Sequence, residues 1–198
     1  MGYVRKDHFY KRAKQERKAS RAVYKLSEIQ ARYKLIEKGA TVIDLGCAPG
    51  SWMHELSDIV GPKGKVIGID VLSLKIELPK NCQFINGDIS DEATIGKLND
   101  LIGRNVDAVL SDMSPNLSGV AFADTYKSYE LSMTALTLAR SILKKGGGFI
   151  VKMFPGEEFK SFMAELKKSF KEVNPITPQA TRKTSSERYL VARGYKGS

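Results

Sequence analysis

The sequence is poor in cysteine, histidine and tryptophan, and each scarcity excludes a class of protein. Its two cysteines, Cys47 and Cys82, fall in different expected elements and are too few for a disulfide framework or a zinc cluster. The two histidines, His8 and His54, have no cysteine or carboxylate partner at ligand spacing, so no metal is expected. No apolar run approaches the roughly 18 residues of a membrane-spanning helix, and no apolar segment of an export signal follows the basic N-terminus. A cytoplasmic protein without a membrane partner is the expectation. What is present is 198 residues, 42% hydrophobic and 27% charged, the composition of one globular unit spanning 1–198.

The net charge of +10 is unevenly spread. Residues 1–34 carry eleven basic and three acidic side chains, residues 35–159 twelve and sixteen, and residues 160–198 nine and three. Both ends are basic around a mildly acidic middle. Such ends suit a polyanion, whose phosphates they would neutralise with release of counterions, whereas the acidic centre suits a smaller ligand. Within the first segment, Ala22, Val23, Leu26, Ile29 and Tyr33 share one helical face, and Arg21, Lys25, Glu28 and Arg32 form a mainly basic row expected to face away from the docked side. Residues 1–34 are therefore read as a segment suited to a polyanion, with a solvated basic surface and an anionic lipid as the alternatives, and 35–198 as the core.

From residue 40 onward, apolar β-branched runs alternate with helical patterns. The runs are 41–45, 65–70, 83–85, 106–112 and 148–153; the helices are expected over 52–60, 91–101 and 126–143, the last closed by Lys144, Lys145 and a Gly146-Gly147 cap. A further amphipathic helix over 157–170 precedes two extended runs, 171–176 and 188–193, expected to pair like a hairpin. Near-continuous apolar strands separated by helices predict a doubly wound α/β fold, its mostly parallel sheet covered on both faces.

In such sheets ligands bind beyond the carboxyl ends of the strands. At those ends stand the loop 44–52, then Asp70, Asp88 and Asp112, with Lys152 in the fifth strand. Singly, each acid reads as a turn residue or helix cap; their common register reads as a site. Gly46 and Gly50 are four apart, which is neither a Gly-x-Gly-x-x-Gly loop nor a Walker loop, so a nucleoside without a diphosphate suits the position. Asp70 is placed to accept ribose hydroxyls, and Asp88 an adenine amino group.

The run Asp44-Leu-Gly-Cys-Ala-Pro-Gly-Ser-Trp52, with Asp70, Asp88 and the segment 111–119, resembles S-adenosylmethionine-dependent methyltransferases of the FtsJ/RrmJ type. The likeness continues through 20–26, 149–154 and 185–192, in order along nearly the whole chain. One departure is Ser51, where the family more often has glycine. The resemblance implies a Rossmann-like methyltransferase fold, a seven-stranded sheet with an antiparallel last strand, and methylation of RNA ribose 2′-hydroxyls. It implies S-adenosyl-L-methionine bound by Gly50, Trp52, Asp70, Asp88 and Asp112, and a catalytic set of Lys25, Asp112, Lys152 and Glu187. The implied substrate is ribosomal RNA of the large subunit, specifically a uridine, which makes the basic residues 1–34 an RNA-contacting segment before a catalytic core of 35–198, and the implied enzyme is a monomer.

Methyl transfer to a ribose hydroxyl is an in-line displacement by a poor nucleophile, so the site must align the hydroxyl and manage its proton. Lys152 is expected as base or as electrostatic stabiliser of the developing alkoxide, with Asp112 orienting it and Lys25 and Glu187 positioning the ribose. The segment Asp112-Met-Ser-Pro-Asn116 lacks the Asn/Asp-Pro-Pro-Tyr/Phe pattern of enzymes that methylate exocyclic amines. A tRNA ribose methyltransferase and a non-catalytic RNA-binding assembly factor are the alternatives.

Overall fold

The computed structural model describes residues 21–74, 76–103, 105–182 and 185–197. The first 20 residues of the expected RNA-contacting segment, with His8, and Thr184 of the polar stretch before the last strand lie outside them. One seven-stranded sheet is built from β1 (Thr41–Leu45), β2 (Lys65–Asp70), β3 (Cys82–Asn86), β4 (Val106–Ser111), β5 (Leu143–Met153), β6 (Phe170–Ile176) and β7 (Arg188–Tyr195). Its order is β3-β2-β1-β4-β5-β7-β6. Strands β3, β2, β1, β4 and β5 pair in parallel, and β7 runs antiparallel to both β5 and β6. The order reverses direction at β1, between β2 and β4, and in open α/β sheets it is at such a switch point, beyond the strand ends, that ligands bind.

Both faces of the sheet are apolar because each strand contributes alternate residues to each. Ile43, Leu45, Val109, Phe149 and Val151 pack on one side with Leu98 of α3 (Glu92–Ile102), Leu136 of α4 (Ala121–Ile142) and Phe162 of α5 (Phe159–Ser169). Val42, Leu110, Ile150 and Tyr189 pack on the other with Leu26 and Ile29 of α1 (Arg21–Tyr33) and Met53 and Leu56 of α2 (Ser51–Val60). The helix α1 thus joins the core through its apolar stripe.

Two expectations need correction. The Lys144–Gly147 stretch does not cap α4. That helix stops at Ile142, and β5 is already paired with β4 at Leu143, the register slipping between Val106 and Ala108. Gly146, at φ +85°, supplies the left-handed conformation inside this irregular strand rather than at a helix end. Helix α4 also starts at Ala121, five residues before the periodic pattern suggests, because Asp124 fastens its first turn to the preceding loop.

Candidate active site

The end of β1 turns sharply. Gly46, at φ +75°, donates its N–H to the Ile69 carbonyl at 2.9 Å, and a Cβ there would lie 2.8 Å from Met113 Cγ. Gly50, at φ +105°, opens α2, and a Cβ on it would meet Ile76 Cδ1 at 2.1 Å. Ser51 stands at the first helical position, so its side chain does not disturb this turn. The Asp70 carboxylate braces the loop by accepting the N–H of Ala48 at 2.9 Å and of Leu72 at 2.8 Å.

Four side chains from four stretches of chain meet beside this loop. Lys152, only 9% exposed, donates to the Asp112 carbonyl at 2.6 Å and lies 3.1 Å from its Oδ1. Lys25 of α1 is ion-paired with Glu187, which immediately precedes β7, and both are mostly buried. Tyr189 joins the two pairs: its hydroxyl donates to Asp112 Oδ1 at 2.7 Å, and Lys25 Nζ lies 5.8 Å from its ring centroid. The basic row of α1 faces solvent only at its ends, where Arg21 and Arg32 are exposed. Lys25 turns to Glu187, and Glu28 accepts the Gln179 N–H at 2.7 Å, so the middle of the row lies against the segment leading to β7.

Sequence reasoning gave no role to Tyr189, which is fully buried and has its acidity suppressed by that burial and by Asp112. Its signal is positional: in the β5/β7 register it stands directly opposite Lys152. Ser128 and Ser132 of α4 were also missed. The Ser128 hydroxyl accepts the Phe154 N–H at 2.9 Å, and the Ser132 hydroxyl lies 3.3 Å from the Lys152 carbonyl, which fixes the end of β5.

The remaining expected residues stand around this cluster. Trp52 is buried, donates its indole N–H to the Ala22 carbonyl at 2.7 Å and lies 6.0 Å from the Tyr189 ring, so it ties α1 to the site from behind. Asp88 stands apart, exposed at the end of β3, and its carboxylate accepts the Ser90 N–H at 2.8 Å. Cys47 is buried beside Asp44, and burial pushes its thiol up, which keeps it protonated and inert. Among the described residues no three His, Cys, Asp or Glu side chains are grouped to hold a metal ion, and no helix is long and apolar enough to cross a membrane.

Asp44 is the exceptional group. Both its oxygens are buried without a hydrogen-bond partner, and burial, then Asp112 and Asp70, raise its carboxyl well above the usual range. Three carboxyl groups thus crowd the carboxyl ends of β1, β2 and β4, Asp44 buried and Asp70 and Asp112 partly exposed, an arrangement that a nearby cation would relieve.

The comparisons with known proteins decide between the possible cationic ligands. The model of the FtsJ-like methyltransferase family matches residues 19–195. The chain belongs to that family. Proteins named ribosomal RNA large subunit methyltransferase E are similar to it along their length: that of Syntrophobacter fumaroxidans is 42% identical over 191 residues, 96% of each chain. That of Desulfatibacillum aliphaticivorans is 44% identical over 192 residues, 97% of this chain and 92% of the relative. Among solved structures, a chain described as a ribosomal RNA methyltransferase from Plasmodium falciparum superposes with a TM-score of 0.80 at 30% identity, covering 90% of this chain and 99% of its own. Fibrillarin from Aeropyrum pernix, solved with bound S-adenosyl-L-methionine, shares the fold at a TM-score of 0.59 and 18% identity, over 80% of this chain and 68% of its own.

This methyltransferase uses S-adenosyl-L-methionine, and the crevice fits that cofactor. Its sulfonium and ammonium charges match the crowded carboxylates, and the loop after β1 has no diphosphate-binding glycine pattern, which suits a ligand without phosphate. The residues that would hold it are Gly46, Gly50, Asp44, Asp70 and Asp112. When bound it supplies an electrophilic methyl group.

Proposed function

We propose that this protein methylates a ribose 2′-hydroxyl of large-subunit ribosomal RNA. The observation that carries this reading is the convergence of Lys25, Asp112, Lys152 and Glu187, from separate elements, into one buried cluster beside the cofactor crevice. Support for the RNA class comes from the similar large-subunit rRNA methyltransferases and from the basic ends of the chain. The reading includes a single chain working in the cytoplasm without a metal ion, with residues 1–34 gripping RNA around a core of 35–198. Within it, Gly50, Trp52, Asp70, Asp88 and Asp112 border or contact the cofactor.

The chemistry follows from how Lys152 is held. The Lys152 ammonium has three N–H groups; one donates to the Asp112 carbonyl, and the Asp112 carboxylate pairs with its charge at 3.1 Å. A further N–H is left for the ribose oxygen, where it orients a lone pair and stabilises negative charge as the C–O bond forms. When bound, S-adenosyl-L-methionine would supply the methyl group and leave as a neutral thioether, and the hydroxyl would give up its proton to water as the oxygen attacks, so the charge that Lys152 faces is that of a developing alkoxide. Tyr189 keeps Asp112 from turning away from Lys152. Lys25 and Glu187, neutralising one another, present a polar surface to the ribose without adding net charge.

The test is transfer of labelled methyl from S-adenosyl-L-methionine to large ribosomal subunits, free ribosomal RNA and tRNA from cells lacking this protein, followed by nucleoside analysis. A 2′-O-methylated nucleoside in large-subunit RNA is the expected result. Label on tRNA alone would move the substrate, label on a base would overturn the roles given to Lys152 and Asp112, and no label despite cofactor binding would leave an assembly factor.

A further inference from the structure

A cleft of about 560 Å³ opens next to the Lys25–Glu187 pair, and its walls are chemically divided. Arg21, Lys25 and Arg182 supply cations; the two carboxylates of the lining, Glu187 and Asp124, are engaged by Lys25 and by the Ser118–Gly119 loop, which leaves Arg21 and Arg182 for a ligand, whereas Leu117 and Phe154 supply apolar surface. The apolar wall continues outward along the loop after Asp112 and into α4. Leu117, Val120 and Phe122 are 65%, 60% and 62% exposed, three large apolar side chains within six residues. Tyr126, one helical turn beyond Phe122, is also exposed and stacks back through Tyr129 toward the core.

This crest is held out in water by design of its own loop. The Asp124 carboxylate accepts the Ser118 N–H at 2.7 Å, the Ser118 hydroxyl at 2.8 Å and the Gly119 N–H at 3.1 Å. Ser118 Oγ in turn accepts the Val120 N–H at 3.2 Å. Those hydrogen bonds, made chiefly to the backbone and hydroxyl of Ser118, hold the Asp124 carboxyl below the usual range, so the clasp is charged and closed at neutral pH. A loop this well fastened cannot fold Leu117 and Val120 inward, and a contiguous exposed apolar patch marks a contact surface.

We propose that the Leu117–Val120–Phe122 crest receives the faces of unpaired RNA bases flanking the nucleotide that is methylated, an inference that rests on the RNA reading above. Charge complementarity selects this occupant. A single strand presents flat apolar bases on one side and phosphates on the other, and the cleft presents an apolar wall facing Arg21 and Arg182. Asp124 is then a positioning residue, acting through the loop.

The experiment compares the full chain with a Leu117→Ser/Phe122→Ser double variant. Binding is first read with a short single-stranded RNA carrying one 2-aminopurine, which needs no turnover: the wild type quenches the fluorophore by stacking and the variant does not. Methyl transfer to ribosomal RNA is then expected to show KM raised on the order of tenfold per lost base contact, with the loss in KM rather than kcat. The salt dependence of KM stays as in the wild type, because no phosphate contact has been removed, whereas Arg21→Gln lowers the slope by about one. Phe122→Trp restores binding. Asp124→Asn raises KM in the same way, by unfastening the loop that carries Leu117 and Val120. Unchanged quenching and KM in the double variant would overturn the proposal, as would a wild-type dimer that the variant dissociates, or a variant that has lost its thermal stability. Absence of methyl transfer to any RNA by the wild type, with quenching intact, would sink the rRNA reading and leave the crest in place.

Discussion

The two ends of the sheet both carry lysines beside carboxylates, and they use them differently. At the N-terminal ends of the strands lies a polar groove of about 320 Å³, where Lys144 pairs with Asp107, and Arg193 with Glu172, in half-exposed pairs open to solvent. At the C-terminal ends Lys152 and Lys25 are nearly enclosed, with partners that are themselves tied to Tyr189 or covered by the segment before β7. Exposed pairs contribute about 0–1 kcal/mol and serve solubility. Enclosed pairs carry a desolvation penalty that an apolar core would avoid, and among the described residues those two stand at the end where the proposed chemistry needs charge.

The sharpest way to break this contrast is Lys152→Ala. If the buried ammonium stabilises the reacting oxygen, kcat for methyl transfer falls on the order of 10³-fold, while S-adenosyl-L-methionine binding measured by calorimetry stays within about twofold. A variant with wild-type turnover would remove Lys152 from the mechanism and make the enclosed pair structural.

Asp44 sharpens the contrast through pH. Its carboxyl is raised in the folded protein, so above about pH 4 the unfolded chain releases this proton while the native state keeps it. The native state then binds more protons than the unfolded one, and stability falls as pH rises, by up to about 1.4 kcal/mol per pH unit, until Asp44 itself ionises. Asp44→Asn removes that loss. Urea midpoints of the cofactor-free proteins are expected to coincide near pH 4 and to diverge toward neutrality, the variant being the more stable. Parallel curves would mean that Asp44 is charged in the crevice and has a partner.

Tyr189→Phe tests whether the site's rigidity matters as well as its charge. Losing one hydrogen bond to a carboxylate is worth about 1.5 kcal/mol, which predicts roughly tenfold in kcat if Asp112 must be held toward Lys152. An effect confined to melting temperature would reduce Tyr189 to packing.

Much of this architecture was legible in the residues. Runs such as Val42–Leu45 and Val106–Ser111 are apolar on both alternations, which only a sheet covered on two faces explains, and the acids that follow them mark one end of it. Lys152 was visible as a cation in an otherwise apolar strand. Local pattern failed where a distant contact decides the outcome. The start of β5 carries lysines and glycines that look like a helix stop, and only pairing with Val106 makes them strand. Lys25 and Glu187 look like surface charges until 162 residues of chain bring α1 against the approach to β7. Tyr189 reads as one more strand aromatic, because nothing local reveals that its hydroxyl meets Asp112. Resemblance to a family supplied the roles of the first two, and register alone supplies the third.

The smallest expected effect is at the other end of the sheet. Lys144→Gln removes an ion pair whose lysine is half-exposed, so stability measured by urea unfolding is expected to change by less than about 0.5 kcal/mol. Asp107 does not lose its purpose, since its carboxylate also accepts the Thr41 N–H at 2.7 Å and caps the start of β1. Methyl transfer should match the wild type at low and high salt. A rise in KM for RNA with a shallower salt slope would show phosphate binding at the strand N-termini, and the two ends of the sheet would then share the substrate instead of dividing chemistry from solubility.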